Sequence, residues 1–187
     1  MTENRSYLQK YAMHFGTYMG VYWILKFILL PLGIYIPFFF FLFSILTFAV
    51  PFIGYYYTRM YRDKVCGGTI QFSHCVLFGT FMYMFASMLT ALPHYVYFQF
   101  IDHGFVIQPP IEYWEKLMAD APAMVQYKEM ITTLTENMHS LTPIDLTMQK
   151  LSWNILGGSL FSIPTALLVM KRDNSDSDQP TELNSQI

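Results

Sequence analysis

Four long apolar runs dominate the chain, and what separates them sets the architecture. The first, residues 11–30, carries one charge, Lys26, and has the length of about 20 residues that a helix needs to cross a bilayer. A secretory signal would show a shorter apolar region and a small-residue cleavage site. Here Pro31-Leu-Gly-Ile-Tyr-Ile-Pro37 follows instead, so the segment is expected to be retained, with its helix ending near Pro31. Pro37 suits the first turn of a second helix over residues 37–62, kinked at Pro51. Gly67-Gly68 then breaks the chain, Thr69 is placed to cap the next helix, and an apolar run over 70–101 follows with Pro93 near its far end. The fourth run spans 150–170, preceded by Thr142-Pro143-Ile144-Asp145, a helix start with an acid three residues after the cap.

Between the third and fourth runs, residues 102–149 change character. Seven acids fall there: Asp102, Glu112, Glu115, Asp120, Glu129, Glu136 and Asp145. Pro109-Pro110 predicts a short helix through Ala119. A second begins near Asp120, where Met124, Tyr127, Ile131, Leu134, Met138 and Leu141 recur at helical spacing. Too polar to span, this stretch is expected to form a helical cap on the membrane surface. Residues 173–187 are polar, and disorder is expected. The fold class is therefore all-α: a polytopic membrane protein whose single membrane domain covers residues 1–172.

Composition and charge orient this arrangement. Charged residues make up 13% of the chain against roughly 25% in soluble domains, and aromatic residues 18%. The net charge of -2 gives no sign of nucleic-acid binding, and none is expected. Arg59, Arg62 and Lys64 crowd the turn after the second run, and Lys171 and Arg172 close the fourth. With Arg5 and Lys10 they make seven basic residues on one side, against Lys116, Lys128 and Lys150 on the other. Positive charge stays in the cytoplasm, so both termini are expected inside and residues 102–149 outside an inner membrane. Cys66 and Cys75 lie at the inner turn in no zinc or redox spacing, and read as free thiols.

The residues YRDKVCGGTIQFSHC (Tyr61 to Cys75), between two apolar helices and a third, resemble the hallmark of a bacterial membrane family, domain of unknown function 4199. The end of the fourth helix, LLVMKRD, is similar too, and the resemblance covers about residues 8–172. It implies architecture: four spans and a polar segment between the third and fourth. It implies no catalytic residue.

Candidate chemistry is sparse. Lys26 is an intramembrane charge, read as snorkelling to the outer surface or pairing with Asp102, because no helix offers an evident buried acid for a relay. His14 and His74 lie at similar depth, but no second His pair and no Glu-x-x-His accompanies them, so no metal or cofactor is expected. Ser73-His74 lacks the acid and frame of a hydrolase. The aromatics read as an interfacial belt and lipid-facing surface rather than a quinone pocket. The methionines of 118–148 fit either a pliable binding face or a small core. Two small-residue rows, Ala12-Gly16-Gly20 and Gly158-Ser162-Ala166, are expected to pack the first helix on the fourth. The expected role is a non-enzymatic structural or accessory subunit, its partners the lipid bilayer and either another protein or a second copy. The alternative is a small transporter or channel component, disfavoured by the lack of a convincing internal repeat.

Overall fold

The computed structural model describes residues 2–102, 108, 111–112, 116 and 128–171. The expected helix through Ala119, Arg172 and the tail at 173–187 lie outside or largely outside these residues. Five helices are described: α1 (Thr2–Tyr35), α2 (Pro37–Lys64), α3 (Phe72–Phe100), α4 (Lys128–His139) and α5 (Pro143–Val169). Among the described residues there is no strand, only one isolated antiparallel bridge, Ile70 with Lys171. Four helices, all but α4, are long and apolar enough to cross a membrane. The protein is all-helical and a multi-pass membrane protein.

Local signals explain the helix ends, with two corrections. Pro37 opens α2 directly after an extended Ile36. α1, however, does not stop at Pro31 but continues through it to Tyr35. A proline inside a helix removes one backbone bond, and in apolar surroundings the helix still satisfies the other groups better than any alternative. Thr69 is not next to the start of α3 either, because Ile70 pairs with Lys171 first and the helix begins at Phe72. At α5 the expected capping box is present. The Thr142 amide donates to Asp145 Oδ2 at 3.0 Å, and the Asp145 amide reaches back to Thr142 Oγ1 at 3.4 Å. On α4, Ile131 is buried while Leu134 is exposed, and Thr135 and Met138 are partly covered. The inward stripe is thus 131–135–138, narrower than the one expected, with Thr135 where Leu134 was placed.

The chain divides into two compact units, Met1–Ala86 with Ile155–Ile187, and Ser87–Asn154. In the first, α1 turns Leu8, Ala12, Phe15, Met19 and Trp23 inward at helical spacing, and α2 contributes Val50, Gly54, Thr58 and Tyr61. They meet Cys75, Phe78, Met82, Tyr83 and Ala86 of α3 and Ala166 and Val169 of α5. Burial ranks the helices: 44% of the α3 span is buried against 11% of α2, which leaves Phe38, Phe41, Phe48 and Phe52 outward.

Tyr83 is where the four helices of this unit interlock. Its ring stacks on Trp23 of α1, with centroids 6.0 Å apart and planes at 22°. Its hydroxyl lies so close to Gly54 of α2 that a Cβ there would clash with it, and its Cβ fills the space beside Gly158 of α5. Side chains at either glycine would exclude it. All six residues of the small-residue rows, Ala12, Gly16, Gly20, Gly158, Ser162 and Ala166, are buried. A Cβ on Gly16 would sit 2.7 Å from the Met82 carbonyl oxygen, and one on Gly79 would sit 2.5 Å from Ser162 Oγ. Gly16 of the first row and Gly158 and Ser162 of the second thus lie against α3, the helix with the most buried span.

In the second unit the C-terminal half of α3 buries a polar seam: Ser87, Thr90 and His94 on one face, then Asp102 just past the helix end. Thr90 Oγ1 donates to the Ser87 carbonyl at 2.9 Å, and His94 Nδ1 donates to the Thr90 carbonyl at 2.5 Å.

Candidate functional site

The turn between α2 and α3 is built by its glycines. Gly67 and Gly68 take φ of 68° and 89°, the left-handed region that costs other residues about 1–2 kcal/mol. Their geometry lets the amides of Val65 and Cys66 bond the Tyr61 carbonyl, at 3.0 and 3.3 Å, and Gly68 bond that of Arg62, at 3.0 Å. Two of the last four carbonyls of α2 are thereby satisfied. The chain next meets the end of α5: Ile70 donates to Lys171 at 2.9 Å and accepts from it at 3.1 Å. Arg62 Nη1 caps the same helix end by donating to the Val169 carbonyl at 2.9 Å.

A cleft of about 1240 Å³ opens against this turn. Tyr7 and Tyr11 of α1, Tyr61 and Lys64 of α2, residues 65–71 in part, Ser73 and His74 of α3, and Lys171 line it. Tyr61 forms its rigid wall, sharing a 3.0 Å hydrogen bond with His74 Nε2 and stacking on Phe78 at 4.0 Å. Charge is distributed unevenly. Asp63 pairs with Arg62 at 2.7 Å and Arg59 at 3.7 Å, whereas Lys64 and Lys171 have no ion pair among the described residues. No carboxylate is among the lining residues. Cys66 is half-buried and burial pushes its thiol above the usual range, while Cys75 is fully buried, and both are free thiols.

The family model for a protein of unknown function (DUF4199) matches residues 14–171, which takes in the greater part of α1, all of α2, α3 and α5, and the cleft turn. The chain belongs to that family. Neither a curated protein nor a solved structure matches it.

In this DUF4199 protein Arg59, Arg62, Lys64 and Lys171, the residues expected to set the topology, gather at or beside the cleft turn, with Arg172 outside the described residues. Lys26 is half-buried, its Nζ 5.4 Å from the Phe43 ring and 5.9 Å from that of Trp23, so an aromatic pair holds the ammonium. His14 and His74 are not brought together: His14 is exposed and lies edge-on to Tyr18 at 4.9 Å, and His74 faces the cleft. No cluster of three or more metal-ligating side chains occurs among the described residues. The cleft itself, Tyr83 and the buried seam on α3 escaped sequence reasoning. For the seam a signal existed, since Ser87, Thr90 and His94 recur at three and four residues inside an apolar run.

Proposed function

We propose that this DUF4199 protein is a non-enzymatic structural or accessory subunit of the inner membrane, with both termini in the cytoplasm and residues 102–149 as an outer cap. The observation that carries this reading is the filled interior of the first unit, where Tyr83 is locked between Trp23, Gly54 and Gly158. A moving gate needs two packings of similar energy, and an aromatic ring keyed into two glycine notches favours one. The outward aromatic face of α2 supports the accessory role, because it gives a protein partner or a second copy a continuous surface within the bilayer. A photo-crosslinking residue placed at Phe48 or Phe52 in native membranes is expected to yield a discrete protein adduct. Lipid adducts alone at both positions would contradict the subunit role.

The buried seam favours a second reading, a small transporter or channel component, because ionisable side chains inside a membrane helix mark ion and proton paths. Under it, protein reconstituted in vesicles carries a proton or cation flux that Asp102→Asn abolishes. The accessory reading expects no such flux.

A further inference from the structure

We infer that the cleft at the α2–α3 turn is a binding site for a phosphate anion, in the form of an acidic phospholipid headgroup or as free phosphate. Three observations converge. Lys64 and Lys171 reach the cleft from different parts of the chain with no ion pair among the described residues, while both nearby arginines already share Asp63. The cleft adds tyrosine, threonine and serine hydroxyls and the His74 imidazole as donors, and no carboxylate lines it. Asp63 beside it also feels Lys171 but is already paired with Arg62 and Arg59. The first turn of α3 also lines it, so the positive end of a 29-residue helix falls on the same space.

The position favours the lipid form. The cleft lies where α2 ends and α3 begins, both long enough to span, and Phe72 and Tyr7 leave its rim partly apolar and exposed. A headgroup phosphate at that level has its acyl chains beside the helices, and basic pockets between membrane helices hold acidic lipid headgroups. The inference is independent of the accessory role, since a transporter component would keep the same cleft.

The test uses the full chain purified in detergent and examined by native mass spectrometry with added phosphatidylglycerol, phosphatidylcholine or inorganic phosphate. Phosphatidylglycerol is expected to bind about tenfold or more tightly than phosphatidylcholine. Lys64→Gln with Lys171→Gln should erase that preference, and Lys64→Arg with Lys171→Arg should keep it. Arg59→Gln, outside the cleft lining, should leave it unchanged. Displacement of the lipid by millimolar inorganic phosphate, or binding of phosphate alone that the glutamine pair abolishes, would assign the site to the soluble anion and uphold it. If the double variant fails to fold, Lys171→Gln alone carries the comparison. An unaltered preference in a glutamine variant whose melting in phosphatidylcholine matches the parent overturns the inference, as does wild-type protein that binds none of the probes selectively.

Discussion

Two adjacent glycines give opposite expectations from the same chemical change. Gly158 faces Tyr83 with no room for a methyl group, whereas a Cβ at Gly157 meets nothing within 4 Å. Gly157→Ala should therefore leave stability unchanged or raise it by about 0.5–1 kcal/mol, the helical gain of alanine over glycine. Gly158→Ala should lower it by about 1–3 kcal/mol, as overpacking does. Thermal unfolding of both variants in one detergent checks the pair, and equal melting would remove Tyr83 from its place among the helices. Cys66 offers a second test, outside the spans. Burial raises its thiol above the ordinary thiol range, so the reactive thiolate fraction is smaller at neutral pH. Its maleimide labelling in folded protein should run slower at pH 7.5 than that of an unfolded control, and climb as pH rises. Equal rates at neutral pH would contradict the burial.

At the scale of elements, the turn after α2 is fastened to the end of α5 by two backbone bonds and one arginine. Arg62→Ala removes a charged donor from the Val169 carbonyl and should cost about 1.5–3 kcal/mol. Faster amide exchange in the last turn of α5 should accompany it, and unchanged exchange there would show the cap to be idle. The four long helices were legible in the sequence because an apolar run of about 20 residues has few other uses. Their neighbours were not. Glycine at spacing four marks a close-packing face, yet it does not name the helix that fills it, and Gly16, Gly158 and Ser162 all meet α3. Pro31 misled for a related reason, since a helix-breaking residue in water is tolerated where no water competes for the backbone. The capping box at Thr142 was readable because it is wholly local.

At the scale of the whole molecule, the proposed orientation rests on the basic turn at Arg59 to Lys64, because charge asymmetry acts without tertiary structure. The cleft behind that turn was not legible in the sequence, since Tyr7, Lys64, His74 and Lys171 come from distant parts of the chain. The membrane arrangement has one most direct test. In a Cys66→Ser, Cys75→Ser background, single cysteines are placed at the exposed positions Glu129 and Gln71 and treated with an impermeant maleimide in intact cells. Four spans with an inner α2–α3 turn predict that Glu129→Cys labels at once and Gln71→Cys only after the membrane is broken. Labelling of Glu129→Cys only after lysis, or of both cysteines from the same side, would contradict the account.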